Sequence, residues 1–197
     1  EGGPGFMGIV LVALILGLAI AIERIIYLNM ATTNTKKLMA SVDEALSSGG
    51  VEAAKEVCRN SKGPVASIFY QGLDRVDEGI ESAEKAVIGY GGVQMGLLEK
   101  NISWLSLFIA LAPMLGFMGT VIGMIVAIHE IANAGGQIDI KLLSDGLYTA
   151  MTTTVAGLIV GIIAYISFNH IVVRTDKVMY QMEAKTVEFL DLLNEPV

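Results

Sequence analysis

The stretch that decides the fold is Asn101–Ile128, which reads NISWLSLFIALAPMLGFMGTVIGMIVAI and contains no Asp, Glu, Lys or Arg. A second uncharged stretch of equal length runs from Gly146 to Val173, and a shorter one from Phe6 to Ile22. A helix of about 20 apolar residues crosses a bilayer of about 30 Å. The two long stretches exceed that length. We therefore predict that each of the three stretches spans a membrane.

The membrane boundary of the first span falls on a charged pair. Its uncharged stretch reaches the required length if the helix continues to Leu28. Glu23 and Arg24 would then lie at the boundary, with their charged ends directed toward water. Glu1 rather than Met begins the chain, so both a signal peptide and a further span upstream stay open.

Composition agrees with a membrane protein and excludes several other classes. The chain has 197 residues, of which 53% are hydrophobic and only 17% charged, and its mean hydropathy is +0.62. Soluble domains carry about 25% charged residues. The net charge of −7 disfavours nucleic acid as a partner. The single cysteine, Cys58, excludes an internal disulfide framework and a multi-cysteine metal site.

The basic residues predict the orientation of the spans. Eleven of the 13 Lys and Arg residues follow the first or the third span, Arg24 lies at the inner end of the first span, and only Lys141 lies between the second and third. Basic residues concentrate on the cytoplasmic side. We predict an all-α integral membrane protein with three transmembrane helices, the second and third long and extending into a cytoplasmic helical region. The segments are a first span with an outer N-terminus, a cytoplasmic helical region, a second span, an outer hairpin, a third span and a cytoplasmic helix, at residues 1–28, 29–100, 101–131, 132–141, 142–173 and 174–197.

The 29–100 segment reads as short helices separated by turn residues. We predict breaks at Ser47–Gly50, at Gly63-Pro64 and at Asp77–Gly79. From Ile80 the helical pattern runs on into the second span, and the C-terminal tail continues the third span and packs on that same helix. The segment contains no phosphate loop, zinc spacing or pair of catalytic carboxylates, so we expect a protein that is not an enzyme and needs no cofactor or metal.

Threonines inside the long spans are the candidate functional groups. They are Thr120 in the second span and Thr152, Thr153 and Thr154 in the third. Their hydroxyls either line a path for an ion or water, or bond carbonyls of their own helices and pack between helices. The residues alone leave these two interpretations about equal. Neither long span has an interior carboxylate, so a proton path would take its titrating group from a partner helix, where hydrocarbon raises the pKa of a carboxylate.

Glycines on both long spans predict tight helix packing, within the chain or between copies. Small residues at spacings of three or four let helices approach closely, and here they are Gly116, Gly119, Gly123, Gly157 and Gly161. Three helices alone cannot surround a pore. The ion-path interpretation therefore requires several copies, for which a closed ring is the natural symmetry.

Three stretches together resemble the MotA/TolQ/ExbB proton-channel family. They are IERIIYL at 22–28, LEKNISWL at 98–105 with APMLGFMGTVIGM at 112–124, and GLYTAMTTTVAGL at 146–158. The last is similar to the family pattern A-L-x-T-T-x-x-G-L. They occur along the chain in the family's order. One span before the cytoplasmic segment is typical of the ExbB/TolQ branch.

The resemblance implies a role and partners. It implies a pentameric ring in the bacterial inner membrane, with the N-terminus and the hairpin in the periplasm. The ring would enclose an ExbD- or TolR-like dimer whose membrane Asp carries protons, with Na⁺ as the alternative ion. The resulting motor would act on the envelope through a TonB- or TolA-like energy transducer. The competing hypothesis is a membrane scaffold that holds partner helices without conducting ions.

The resemblance also assigns roles by position. Thr120, Thr153 and Thr154 match the family's pore threonines, and Pro113 matches the proline that opens the second span. Two positions depart from the pattern. Thr149 stands where many relatives carry Glu, and Ile163 stands where they often carry Pro. Thr149 and Thr152 are therefore secondary candidates for the path, and the missing Glu shifts the carboxylate relay to the partner's Asp.

Overall fold

Helices make up all of the regular structure in the described part of the chain. The computed structural model describes residues 2–133 and 140–194, and within these ranges it contains no strand. A 3-10 turn, Val76–Glu78, lies between the third and fourth helices. The helices are α1 (Gly2–Ala31), α2 (Thr35–Asn60), α3 (Pro64–Asp74), α4 (Ile80–Glu99), α5 (Ile102–Asn133) and α6 (Ile140–Asn194). This confirms the all-α prediction.

Three helical stretches are long and apolar enough to cross a membrane. Their most apolar 18-residue windows have mean hydropathies of 2.6, 2.1 and 2.0. No more than 28% of any window is buried inside the protein. Large apolar side chains such as Met114 and Phe117 are about two-thirds exposed. An apolar surface of this extent is unfavourable in water, so the three helices require a hydrocarbon environment.

The chain divides into two compact units. The first comprises Glu1–Arg24 and Asn101–Ile171, and the second Ile25–Lys100 and Val172–Val197. In the first unit, α1, α5 and the first half of α6 pack together through Val10, Ala112 and Val160. Gly17 of α1 lies against the ring of Phe108 of α5, at an ordinary contact distance for an added Cβ. These contacts bring all three helices of this unit together.

Turn residues define the helices of the second unit. Gly50 has φ 73° and ψ −166° and kinks α2, as the glycine pair predicts. Pro64 opens α3 after Gly63, and Gly79 ends the 3-10 turn with φ 106°. Such backbone angles suit glycine because it lacks a Cβ. The predicted breaks at these glycines are confirmed.

The core of the second unit includes the C-terminal part of α6. Phe189 of α6 stacks on Phe69 of α3 with ring centroids 4.3 Å apart and planes 13° apart. Both rings are fully buried. A Cβ added at Gly72 of α3 would lie 2.5 Å from Val87 of α4 and 2.8 Å from Phe189. The helical tail is therefore confirmed to Asn194, and its ring contact is with α3.

The prediction that one continuous helix leads into the second span is wrong. The helix that begins at Ile80 does not run unbroken into the second span, because α4 ends at Glu99 and α5 begins at Ile102. Lys100 has an extended ψ of 136°, and Asn101 has φ 64°. Asparagine tolerates this left-handed conformation better than most residues. Most of the predicted 132–141 hairpin lies outside the described residues, since α5 ends at Asn133 and the description resumes at Ile140.

Candidate functional site

The candidate site lies on a seam of small residues between α5 and α6. The two helices approach so closely at Gly157 that an added Cβ would lie 2.6 Å from the Ala112 carbonyl oxygen and 3.0 Å from Gly116 Cα. A Cβ added at Gly116 would in turn lie 2.9 Å from the Thr153 carbonyl oxygen. Backbone therefore meets backbone here, and any side chain would push the helices apart.

The seam continues in a constant antiparallel register along both helices. A Cβ at Gly123 would lie 2.9 Å from Ala150 Cβ, and one at Gly146 would lie 2.8 Å from Ala127 Cβ. At the other end, a Cβ at Gly161 would lie 2.7 Å from Pro113 Cγ. Gly119 is also buried. At Gly116, Gly123, Gly157 and Gly161, an added Cβ would meet atoms of the facing helix of the same chain.

Two threonines from opposite helices meet in the middle of the seam. Thr120 Oγ1 is in hydrogen-bond contact with Thr154 Oγ1. Thr154 Oγ1 also lies 3.1 Å from the Gly116 carbonyl oxygen, and Thr120 Oγ1 lies 3.2 Å from the same oxygen and 3.3 Å from the Ala150 carbonyl oxygen. Both threonines are half-buried. The structure thus brings together one predicted threonine from each span.

The two hydroxyls can exchange their hydrogen-bonding roles. Each hydroxyl carries one hydrogen and can both donate and accept. In one arrangement Thr154 donates to the Gly116 carbonyl and accepts from Thr120. In the other, Thr154 donates to Thr120, and Thr120 donates to the Ala150 carbonyl. The pair therefore offers a short chain whose direction reverses without moving a heavy atom.

Within the described residues, the other candidate threonines are not hydrogen-bonded to this pair, although Thr153 shares an acceptor, the Ala150 carbonyl, with Thr120. Thr153 is buried and donates to the Ala150 carbonyl at 2.7 Å. Thr152 is exposed and donates to the Tyr148 carbonyl at 2.7 Å, and exposed Thr149 donates to the Asp145 carbonyl at 2.9 Å. These are bonds to carbonyls of the threonines' own helix. In the part of the chain that the structure describes, these three hydroxyls bond carbonyls only of their own helix, whereas Thr120 and Thr154 also bond groups of the facing helix.

The charged pair at the predicted membrane boundary is an ion pair. Arg24 Nη2 lies 2.5 Å from Glu23 Oε1, and Arg24 Nε lies 2.7 Å from Glu23 Oε2. The Arg24 side chain is 3% exposed and that of Glu23 is 50% exposed. A buried guanidinium requires a partner, and Glu23 supplies one. Within the described residues, no group of three or more His, Cys, Asp or Glu side chains is arranged to hold a metal.

The comparison with protein families identifies the chain. Residues 60–184, which include the whole seam and both threonines, match the MotA/TolQ/ExbB proton channel family. The chain belongs to this family. The match and the three apolar helices together make it a multi-pass membrane protein. The resemblance in the sequence is therefore confirmed at the level of the family.

Similar proteins are members named ExbB. An ExbB homolog of Methanothermobacter thermautotrophicus is 30% identical over 171 residues, which is 86% of this chain and 60% of that protein. The exbB1 protein of Vibrio cholerae and the ExbB protein of Helicobacter pylori are each 34% identical, over 48% and 40% of this chain. The matches cover 41% and 54% of those two relatives. The chain thus spans about half the length of the curated family members it matches.

Proposed function

We propose that this member of the MotA/TolQ/ExbB family is the ring-forming subunit of an inner-membrane motor driven by protons. The observation that carries the proposal is the contact between the Thr120 and Thr154 hydroxyls, half-buried in an otherwise apolar seam. Polar groups at membrane depth are expensive to keep and mark ion paths. The names of the relatives, biopolymer transport proteins, support a role in energised transport.

The hydroxyl pair has the chemistry of a relay. A proton arriving at one hydroxyl can be accepted there while the other hydroxyl donates onward, because each group holds one hydrogen and has lone pairs. After transfer the pair is in its reversed arrangement and must reset. Threonine does not titrate near neutral pH, so the relay needs an acid and a base on either side. We propose that a carboxylate of a partner helix is the group at one end of the relay and that water is the proton donor or acceptor at the other end.

The surroundings of the pair support a ring with a partner inside it. The chain's three apolar helices leave the two hydroxyls half-buried, so other helices must complete a path around them. The proposed assembly is a pentamer around an ExbD- or TolR-like dimer with a membrane Asp, coupled to a TonB- or TolA-like transducer in the bacterial inner membrane. Thr149 replaces the Glu of many relatives and is exposed, so this subunit offers no carboxylate at that position.

A set of matched threonine variants tests the ion path. The assay is proton flux into liposomes that hold the full chain assembled with its partner subunit. Thr154→Val and Thr120→Val remove a hydroxyl and keep the branched shape, and both are expected to abolish flux. Thr154→Ser keeps the hydroxyl and is expected to retain it. The control Thr152→Val removes a hydroxyl that bonds only its own helix, at the Tyr148 carbonyl, and is expected to conduct normally.

The same experiment separates the motor from a scaffold. If both valine variants conduct like the parent, the hydroxyl pair is not the path and the assignment fails. The partner's membrane carboxylate is then replaced by its amide. A motor stops when this group cannot titrate, whereas a scaffold continues to assemble and support its partner. Repeating the flux measurement with Na⁺ in place of the pH gradient identifies the coupled ion.

A further inference from the structure

A polar cleft in the second unit lies apart from the threonine pair. It lies among α2, α3 and α4, has a volume of about 330 Å³, and is lined by Cys58, Arg59, Ser61, Ser67, Tyr70, Gln71 and Tyr90. This volume falls within the range of small-molecule sites, roughly 300–1,000 Å³. Neither the proposed ion path nor the helix packing uses this cleft.

Four polar side chains around the cleft have unused hydrogen-bonding capacity. Within the described residues, Arg59, Tyr70, Gln71 and Tyr90 make no side-chain hydrogen bond and no ion pair. The guanidinium offers five N–H donors, the amide two and each phenol one. By contrast, Ser61 donates to the Val57 carbonyl of its own helix at 2.8 Å. The free donors around the cleft thus outnumber its free acceptors and favour a negatively charged ligand group.

Charge around the cleft limits the ligand to one anionic group. No carboxylate lines the cleft, and Arg59 is its only cation. The adjacent cleft, which shares Arg59 and Tyr70, is lined by Glu52, Glu56 and Asp74. Its Lys55 already pairs with Glu52 at 3.0 Å and with Asp74 at 3.5 Å. A second anionic group would meet these carboxylates, and the net charge of −7 adds to the repulsion.

The remaining lining favours a planar group beside the anion. Tyr70 and Tyr90 are half-buried, and aromatic side chains pack against flat ligand rings. Burial raises the pKa of the Cys58 thiol to about 11, so the thiol is neutral at physiological pH and adds no negative charge. The cleft therefore presents one cation, two phenols and an amide to a ligand of small size.

We propose that this cleft binds a soluble small molecule that carries one anionic group, a phosphate or a carboxylate, attached to a planar ring. Arg59 holds the anion, helped by Gln71, and the two tyrosines hold the ring. The site belongs to the second unit, so it would give the subunit a ligand-binding function that does not depend on the ion path.

Calorimetry on the full chain tests the proposal. The chain is placed in nanodiscs of phosphatidylcholine, so that no lipid supplies a net anionic headgroup, and is titrated with phenyl phosphate and with inorganic phosphate. Phenyl phosphate is expected to bind saturably and more tightly than inorganic phosphate. Arg59→Gln is expected to weaken binding by about ten-fold or more, the size expected for losing a hydrogen-bonded charge. Tyr90→Ala is expected to reduce the preference for phenyl phosphate.

A second arginine provides the matched control. Arg75 is also exposed, and its Nη1 bonds Glu78 at 3.0 Å outside the cleft. Arg75→Gln is expected to keep the dissociation constant for phenyl phosphate within about two-fold of the parent's, because Arg75 does not line the cleft and its exposed ion pair contributes little to stability. As an independent readout, phenyl phosphate is expected to slow alkylation of Cys58, the only cysteine of the chain, at pH 9. The proposal is overturned if no saturable binding occurs up to about 10 mM, or if Arg59→Gln binds like the parent.

Discussion

The sharpest prediction concerns the methyl group that a Gly157→Ala substitution would add to the seam between α5 and α6. Gly157→Ala places a Cβ 2.6 Å from the Ala112 carbonyl oxygen and 3.0 Å from Gly116 Cα. Both neighbours are backbone atoms, so no side-chain rotation can relieve the contact. To restore an ordinary distance of 3.4 Å, the helices must separate locally by about 0.8 Å. Alanine is otherwise the better helix former, by about 1 kcal/mol.

The size of the effect follows from this displacement. Overpacking of a close-packed site costs typically 1–3 kcal/mol. The same 0.8 Å displacement would lengthen the contact between Thr154 Oγ1 and the Gly116 carbonyl oxygen from 3.1 Å to about 3.9 Å, beyond hydrogen-bond range. That loss adds about 0.6 kcal/mol, the average for such bonds in membrane proteins. After the gain in helix propensity, we expect the free energy of unfolding to fall by about 0.6–2.6 kcal/mol.

The assay compares two glycine variants by reversible unfolding in detergent micelles. Gly92 of α4 is the matched control, because an added Cβ there meets nothing within 4 Å. Gly92→Ala is expected to stabilise the protein by up to about 1 kcal/mol, so the two variants should shift in opposite directions. Gly157→Ala should also reduce proton flux, because it removes the bond from Thr154 to the Gly116 carbonyl that one arrangement of the hydroxyl pair requires. If Gly157→Ala has the same free energy of unfolding as Gly92→Ala, the close approach of α5 and α6 at Gly157 is contradicted.

Three further predictions concern the second unit. Phe189→Ala removes a fully buried stacked ring and should cost about 3–5 kcal/mol of stability in chemical denaturation, whereas Val187→Ala, at an exposed position, should change it by less than about 0.5 kcal/mol. Gly50→Ala should lower the free energy of unfolding by about 1–3 kcal/mol in the same assay, because φ 73° with ψ −166° is a conformation nearly restricted to glycine. Its control, Gly89→Ala, should be neutral or stabilising, because an added Cβ there meets nothing within 4 Å. Burial raises the pKa of the Cys58 thiol from its ordinary value of 9.0 to about 11. As the pH rises, the thiol therefore deprotonates in the unfolded chain before it does in the folded one, and the free energy of unfolding should fall between about pH 9 and pH 11. A Cys58→Ser variant should not show this fall.

The positions of the helix breaks could be predicted because their causes are local. Gly50 and Gly79 adopt backbone angles that other residues avoid, and Pro64 favours the first turn of a helix. The break at Asn101 was missed for a physical reason. Asparagine in a left-handed conformation costs little, so a single Asn within an apolar sequence gives no clear signal. The helical continuation of α6 beyond residue 173 could be predicted because no glycine or proline interrupts that stretch before Pro196.

The partner of each threonine was only partly predictable. Thr153 and Thr154 precede Gly157 by four and three residues and therefore share its face of α6, whereas Thr152 precedes it by five and does not. Spacing alone could thus have set Thr152 aside. It could not choose between Thr153 and Thr154, because that choice depends on how α5 and α6 slide past each other. The close contacts of Gly116 and Gly157 fix that register, and they involve residues 41 positions apart in the chain.

The packing of the seam also bears on how the hydroxyl pair could work. Between helices in lipid the hydrophobic effect contributes little, so close backbone contact and a few polar bonds hold the helices together. Here the glycine and alanine contacts extend from Ala127–Gly146 to Pro113–Gly161, with the threonine pair between them. Because that extended contact fixes the helices, the hydroxyls can reverse direction without loosening the seam. Each arrangement keeps one bond between the threonines and one to a carbonyl, so the two should differ little in energy. A relay of protons requires such a near balance, since a strongly favoured direction would trap the proton after one transfer.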